Sequence, residues 1–255
     1  MRLLIFGGTT EGRLLSERLG NNKKINDEII VSVASDYGME MLHGLPGIKV
    51  HVGRMDKKEM ESFLREGVFD MVIDATHPFA TEVTDNIKTA CSKTGIRYIR
   101  LKRGEESGDD LKYERIIFCK SCEEAAEKLM IMKEGNVLLT TGSKELECFT
   151  KRIAPERLFV RIIPTESSID KCLLDGIEQE HIIALKGPFS EEINVKHIRE
   201  HNISYLVTKE SGTGSGYLDK IKASEKTGIT VFVIKRPDDQ GVSMEEVLKE
   251  IYMIP

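Results

Sequence analysis

The sequence lacks any long apolar run: no stretch of its 255 residues approaches the roughly 20 residues that a membrane-spanning helix needs. The apolar stretch 3–6 near the N-terminus is likewise too short for the hydrophobic region of a signal peptide. These two absences predict a cytoplasmic protein with no membrane partner.

An excess of basic residues is also missing. The 37 Lys and Arg residues are outnumbered by 42 Asp and Glu residues, and the formal net charge is −5. General nucleic-acid binders need a basic surface, so we expect no nucleic-acid partner. A small anionic ligand held by a local cluster of Lys and Arg is compatible with this charge.

Cysteine is scarce and scattered, at positions 91, 119, 122, 148 and 172, which does not suggest a disulfide framework. Cys119 and Cys122 form a lone C-x-x-C. A zinc site would need a second pair of ligands at suitable spacing, and none follows nearby, so we predict no metal. The pair is either a redox dithiol or two incidental cysteines where a strand ends and a helix begins; we favour the second interpretation.

Short apolar runs rich in β-branched residues alternate with segments of helical periodicity along the whole chain. The runs are 3–6, 29–33, 48–52, 71–73, 98–101, 116–118, 137–139, 158–163, 182–185, 205–207 and 231–234. Such alternation predicts an α/β protein whose parallel sheets are covered by helices on both faces.

A break in this alternation predicts the domain organisation. Residues 103–112 are polar and acidic and have no periodicity, so they form either an interdomain linker or a long surface loop of a single sheet. We favour the linker. The sequence then predicts two Rossmann-like domains, residues 1–105 and 106–255, with an interdomain cleft.

Ligands of open parallel sheets bind beyond the carboxyl ends of the strands, so the turns after the strands are the places to examine. The first is Gly7–Arg13, with glycines at 7, 8 and 12, a spacing that departs from G-x-G-x-x-G. A P-loop would require Lys and Ser/Thr where Arg13 and Leu14 stand, so nucleotide hydrolysis is not indicated. The turn either holds an anion at a helix start or is a tight connection without a ligand.

Two further turns in the first half carry acidic or titratable side chains. Asp36 follows the second strand and either contacts a ribose or caps a helix. The fourth strand runs into Asp74, Thr76 and His77, and Pro78 suits a first helical position. His77 is therefore either a proton donor or a helix cap.

Three turns in the second half join glycine, hydroxyl groups and lysine after a strand. They are Thr140–Lys144, Lys186–Ser190 and Lys209–Gly216, with Lys220 one helical turn after the last. Such donors suit the phosphates of a dinucleotide. The basic residues 97, 100, 102 and 103 form either a solvated edge or a site for carboxylates.

The ordered set of these motifs resembles the precorrin-6A reductase family of cobalamin biosynthesis. The motifs are GGTTEGR (7–13), DATHPFA (74–80), TGSKEL (141–146), LKGPFS (185–190) and TKESGTGSG (208–216). The resemblance extends over essentially the whole chain, and the last motif departs from it by lacking paired glycines. It implies two Rossmann-like domains, NADPH as cofactor, and hydride transfer to one double bond of precorrin-6A or its cobalt-containing counterpart.

On this resemblance we assign roles to individual residues, with no metal. NADPH is expected on Gly8, Thr9, Thr141, Gly142, Ser143, Lys144, Gly187, Pro188, Phe189, Ser190, Lys209, Ser211, Gly212, Gly214, Gly216 and Lys220. The anionic tetrapyrrole is expected on Thr10, Glu11, Arg13, Thr76, Arg100 and Lys102. His77, held by Asp74, is expected to donate a proton, and the protein is expected to be a monomer or a small homo-oligomer.

Two other functions compete with this one. An NADP-dependent dehydrogenase or epimerase of a small metabolite is disfavoured because no Tyr-x-x-x-Lys pair follows a strand in the expected helical setting. Tyr113 lacks a lysine four residues on, and Tyr205, which has Lys209 at that spacing, lies in a predicted strand. A non-catalytic NADPH sensor would bind the dinucleotide and leave it unoxidised.

Overall fold

The computed structural model describes residues 1–22, 28–102, 113–211, 216–237 and 240–253. The chain folds into two compact units. The first unit is Met1–Gly104 with Pro237–Pro255, and the second unit is Glu105–Arg236. Each contains one parallel β-sheet flanked by helices, which confirms the predicted fold class.

The sheet of the first unit has five parallel strands in the order β3-β2-β1-β4-β5. The strands are β1 Arg2–Phe6, β2 Glu28–Val33, β3 Ile48–Val52, β4 Met71–Asp74 and β5 Arg97–Arg100. The helices between them are α1 Thr10–Gly20, α2 Asp36–Glu40, α3 Lys57–Gly67 and α4 Thr81–Thr94. The inner strands are nearly continuous apolar runs because helices cover both of their faces.

The sheet of the second unit has six strands in the order β6-β11-β10-β7-β8-β9, and all of the pairings are parallel. The strands are β6 Ile116–Cys119, β7 Asn136–Leu139, β8 Leu158–Ile162, β9 Ile182–Ala184, β10 Ile203–Lys209 and β11 Thr230–Ile234. The helices are α5 Cys122–Ile131, α6 Leu146–Thr150, α7 Glu166–Leu174, α8 Glu191–Glu200 and α9 Tyr217–Thr227. Short 3₁₀ helices at Pro155–Arg157 and Gln179–His181 precede β8 and β9.

Each sheet has a point where neighbouring strands connect onward in opposite directions. In the first unit β1 leads towards β2, whereas its neighbour β4 leads towards β5. In the second unit β7 leads towards β8, whereas its neighbour β10 leads towards β11. The loops that follow such a strand pair diverge to opposite faces and leave a crevice at the carboxyl edge, which is where α/β sheets bind ligands.

The C-terminal helix α10, Met244–Tyr252, lies in the first unit, whereas the sequence analysis assigned all of residues 106–255 to the second domain. Its buried residues Val247 and Ile251 pack in the same apolar cluster as Leu3 and Ile5 of the first unit. Val242 also bridges to Leu101, just beyond β5. The segment from residue 237 onward therefore belongs to the first unit, because its apolar face covers that sheet.

Two other expectations concern the chain as a whole. The proposed linker, 103–112, lies outside the described residues. Within the described ranges, no helix has the length and apolar character required to cross a bilayer.

Candidate active site

The turns that follow β1 and β4 meet at the carboxyl edge of the first sheet. The hydroxyl of Thr9 donates a hydrogen bond to the carbonyl of Ala75 (2.9 Å) and accepts one from the amide of Gly12 (3.1 Å), which caps α1. A Cβ on Gly12 would lie 3.0 Å from the Cβ of Ala75, so glycine permits this close packing. The predicted residues Gly8 and Thr9 therefore lie at the same crevice as Thr76.

Gly8 has an open backbone in a conformation that favours glycine. Its φ is +125°, a conformation that favours glycine, and a Cβ at this position would meet no atom within 4 Å. Thr10 and Glu11 begin α1 after the N-cap Thr9, and Thr10 is exposed. Arg13, in the first two turns of the helix, forms an ion pair with Glu17 at 3.2 Å.

A buried polar network lies at the ends of β4 and β5. The carboxylate of Asp74 accepts hydrogen bonds from Arg100 Nη1 (2.7 Å), the Thr76 hydroxyl (2.7 Å), the Thr76 amide (3.0 Å) and the Tyr98 hydroxyl (3.0 Å). Arg100 Nη1 also donates to the hydroxyl of Thr76 at 2.9 Å. Burial, and after it the nearby Asp74 carboxylate, raise the pKa of Tyr98, so its phenol stays protonated and donates.

The expected pairing of His77 with Asp74 was wrong. Among the described residues, the carboxylate of Asp74 is hydrogen-bonded by Thr76, Tyr98 and Arg100, and not by His77. The reason is the strand register, which places Asp74 directly beside Arg100. Nδ1 of His77 accepts a hydrogen bond from the amide of Phe79 at 3.3 Å, so the neutral ring carries its proton on Nε2.

Lys102, another predicted basic residue of the first unit, is less buried than Arg100. Lys102 lies two residues beyond β5, half-buried, and its amide donates to the carbonyl of Val242 at 2.8 Å.

Arg100 lines a cavity of about 720 Å³ that runs along the edge strand β5 between α4 and α10. Other lining residues include Lys88, Tyr98 and Glu246. Sequence reasoning missed this cavity because the position of α10 was not predicted.

In the second unit the turns after β7 and β10 are joined at their base. Thr140 donates to the carbonyl of Val207 through its amide (2.9 Å) and its hydroxyl (2.8 Å). Lys209, the last residue of β10, forms an ion pair with both carboxylate oxygens of Glu145, at 2.7 and 2.8 Å. Sequence reasoning did not single out Glu145, which follows the TGSK motif and is the N-cap of α6.

The turn after β7 contains an unused donor and an open backbone. The hydroxyl oxygen of Thr141 is buried and has no hydrogen-bond partner among the described residues. Gly142 has φ +84°, and a Cβ there would meet no atom within 4 Å. Ser143 is half-buried and Lys144 is exposed. A buried hydroxyl without a hydrogen bond is unfavourable. A ligand oxygen that accepts a hydrogen bond from Thr141 would therefore stabilise this turn.

The predicted turn after β9 contacts the start of α9. Ser190 caps α8 by accepting from the amide of Ile193, while Gly216, with φ +70°, is the N-cap of α9. A Cβ on Gly216 would lie 3.3 Å from the carbonyl oxygen of Phe189, so the two turns touch. The amino ends of two helices thus meet at this edge, which favours an anion.

Other predicted residues of the second unit can be placed individually. The peptide bond between Gly187 and Pro188 is cis. Lys220 lies in the first turn of α9 and is buried, at 9% exposure. Ser211 follows β10 and is half-buried. The predicted cofactor residues Gly212 and Gly214 lie outside the part of the chain that the structure describes.

The two cysteines of the C-x-x-C lie where a strand ends and a helix begins, as in the interpretation that we favoured. Cys119 ends β6 and Cys122 begins α5, and both are buried free thiols. Burial raises the pKa of Cys119, and hydrogen bonding to Cys148 followed by burial raises that of Cys122. Neither thiol is therefore activated as a nucleophile.

Comparison with known proteins identifies related sequences along the whole chain. A family described as Precorrin-6x reductase CbiJ/CobK matches residues 2–252. The Cobalt-precorrin-6A reductase of Priestia megaterium is 31% identical over 252 residues, which cover 98% of this chain and 96% of that protein. The Cobalt-precorrin-6A reductase of Salmonella typhimurium strain LT2 is 32% identical over 236 residues, covering 92% and 87% respectively.

A solved structure also shares the fold. The structure of CobK precorrin-6A reductase matches with a TM-score of 0.76 and 24% sequence identity, and the match covers 99% of this chain and 96% of that one. At this identity the likeness supports the fold.

Proposed function

Because the chain belongs to the precorrin-6x reductase family, we propose that it reduces one double bond of the precorrin-6A macrocycle, or of its cobalt-containing counterpart, to the 6B form with NADPH. The family match over residues 2–252 is the observation that carries this proposal. The motifs that suggested the reductase from sequence follow β1, β4, β7, β9 and β10, and all of these are parallel strands. The enzyme would act in cobalamin biosynthesis.

A reductase of this family implies a nicotinamide cofactor, and we assign NADPH to the turns of the second unit. When bound, the dihydronicotinamide supplies the hydride. Thr141 would donate its otherwise unpartnered hydroxyl to a phosphate or ribose oxygen. The amide groups at the starts of α8 and α9 would bind phosphate oxygens, because helix amino ends carry partial positive charge. The carboxylate of Glu145 orients Lys209 beside the same crevice.

The anionic macrocycle would be held by the first unit. Arg13 and Lys102 are partly exposed at its carboxyl edge and would bind peripheral carboxylates. The buried Asp74 fixes Thr76 and Arg100 in place through charge-assisted hydrogen bonds, so it is a positioning residue. Orientation is the main requirement here, because the cofactor provides the reducing equivalent and the protein aligns the reacting carbons.

Reduction of a carbon–carbon double bond also needs a proton on the neighbouring carbon. His77 is half-exposed in the turn after β4, and its acceptor Nδ1 leaves the proton of the neutral ring on Nε2. We assign the proton transfer to Nε2. Solvent is the alternative donor, and a His77→Ala variant that retains full kcat would show that solvent serves.

The activity is tested with the purified protein, NADPH and each macrocycle in turn. We expect loss of absorbance at about 340 nm only when a macrocycle is present, with one NADPH oxidised per macrocycle reduced. Comparison of precorrin-6A with its cobalt-containing counterpart identifies the substrate, and replacing NADPH with NADH tests the cofactor. If the protein binds NADPH tightly but oxidises none of it with either macrocycle, the reductase proposal fails and a sensor is favoured.

A further inference from the structure

Arg161 is a buried arginine to which neither the motifs nor the proposed chemistry assigns a role. It is the penultimate residue of β8 and is only 5% exposed. Nη1 donates to Oδ1 of Asn194 at 2.8 Å and lies 3.5 Å from Nδ1 of His197. Nη2 is buried and has no hydrogen-bond partner in the part of the chain that the structure describes. Within the described ranges of the chain, no carboxylate forms an ion pair with this guanidinium.

Among the described residues of the second unit, the charge of Arg161 therefore has no counter-charge. Burial lowers its pKa to about 10, so it is still protonated at neutral pH. A buried charge without a counter-ion is strongly unfavourable. Replacing buried charged groups with apolar side chains of similar volume usually leaves the stability of the folded protein unchanged or raises it. A residue retained only for packing would not need this charge.

The contacts of Arg161 lead directly to the turn after β9. Its Cζ lies 4.2 Å from the centroid of the Phe189 ring, within the range of a cation–π interaction. Asn194, whose Oδ1 accepts from Arg161, donates through Nδ2 to the carbonyls of Phe189 (3.2 Å) and Ser190 (2.9 Å). The guanidinium thus fixes both the ring and, through Asn194, the backbone of the turn.

This turn is also where the helix amino ends meet. Ser190 caps α8, and the carbonyl of Phe189 packs against Gly216 at the start of α9. The partial positive charges of the two helix ends and the full charge of Arg161 therefore lie close together at this turn, and all of them attract an anion. The described residues in contact with the guanidinium are a neutral amide, a neutral aromatic ring and a histidine whose pKa burial lowers.

We propose that Arg161 is a positioning residue for dinucleotide binding: it holds the Gly187–Ser190 turn through Phe189 and Asn194, and its unpaired charge selects a phosphate-bearing ligand. The inference rests on the proposed function, because it assigns NADPH to this turn. It adds a residue that touches no expected ligand and that no motif contains. The anion of the ligand would bind at the turn beside Arg161, whose charge no carboxylate of the described residues pairs with.

The test compares wild type, Arg161→Met, Arg161→Lys and Phe189→Leu. We expect Arg161→Met to keep or raise the melting temperature while weakening the Kd for NADPH about tenfold, with kcat at saturating NADPH nearly unchanged. Arg161→Lys retains the charge but loses the planar stack, so its Kd should be intermediate. Phe189→Leu, which removes the ring alone, should weaken binding about threefold.

Arg157→Met is the matched control. Arg157 precedes the same strand and donates to the carbonyls of Met132, Glu134 and Gly135, at the opposite end of β8. Its replacement should lower the melting temperature without changing the Kd. If Arg161→Met is folded and binds NADPH within twofold of wild type, this inference is overturned and the proposed function is not. If Arg161→Met does not fold, an unchanged Kd in both Phe189→Leu and Arg161→Lys overturns the inference. Wild type that binds no dinucleotide would overturn the proposed function and this inference together.

Discussion

The carboxylate of Asp74 and the guanidinium of Arg100 form an ion pair of 2.7 Å in which the two side chains are 0% and 9% exposed. We expect Asp74→Asn to lower the free energy of unfolding by about 3–5 kcal/mol, because it removes the buried carboxylate from this ion pair. Urea-induced unfolding followed by circular dichroism measures this loss.

Tyr98→Phe is the control for that variant. It removes one hydrogen bond to the same carboxylate and keeps the charge pair, so it should cost only about 1 kcal/mol. An Asp74→Asn protein no less stable than Tyr98→Phe would contradict the importance of the pair.

Gly142→Asn should separate cofactor binding from folding. Asparagine tolerates a positive φ, and no atom lies within 4 Å of the added Cβ, so the melting temperature should change little. The new side chain would occupy space assigned to NADPH, and we expect a Kd weakened about tenfold or more, measured by fluorescence titration.

Gly95→Asn is the matched control, because Gly95 has φ +73°, is equally open, and caps the C-terminus of α4. Its Kd should equal that of wild type. Equal binding by both variants would show that the turn after β7 does not bind the cofactor.

His197 predicts a specific loss of stability in acid. Burial, and after it the charge of Arg161, lower its pKa below the ordinary value of 6.5. Below about pH 6.5 the unfolded chain binds a proton that the folded protein does not, so stability falls as the pH decreases, by at most about 1.4 kcal/mol per pH unit, until the folded pKa is reached.

His197→Gln removes this titration, so its stability should decline less steeply than that of wild type from pH 7 to pH 5. The two slopes are compared by urea unfolding at several pH values. Parallel slopes would mean that His197 titrates alike in the folded and unfolded states.

Ile251→Ala tests whether α10 completes the first unit. Ile251 is 1% exposed in the cluster that contains Leu3, so the truncation should cost about 2–5 kcal/mol. Met253→Ala, at a residue 78% exposed, should change stability by less than about 0.5 kcal/mol. If both variants unfold like wild type, the packing of α10 on this sheet is wrong.

The strands could be predicted from sequence because their apolar runs are short, β-branched and bounded by turns. The runs 3–6, 48–52 and 231–234 differ from β1, β3 and β11 by at most one residue at either end. The turns that contain the open glycines could be predicted for the same reason, since Gly8 and Gly142 lie two and three residues after such runs.

Partners across the fold could not be predicted in the same way. The pairing of Asp74 with Arg100 depends on the register between β4 and β5, and sequence spacing carries no information on it. Arg161 lies inside an apolar run of the sequence, where it is an isolated charge. Its contact with Asn194 of α8 exists only in the folded structure. Helical periodicity showed that Val247 and Ile251 share a face, but not which sheet that face covers.

The place of α10 in the first unit has a consequence for biosynthesis. The chain completes β1 to β5, then makes all of the second unit, and only afterwards supplies Val247 and Ile251 to the cluster around Leu3 and Ile5. While the ribosome is still translating, the nascent first unit therefore exposes apolar surface that its last helix will cover. A released chain that ends at residue 236 would contain every strand of the second unit but lack α10, so its first unit would expose apolar surface and be prone to aggregation and chaperone binding.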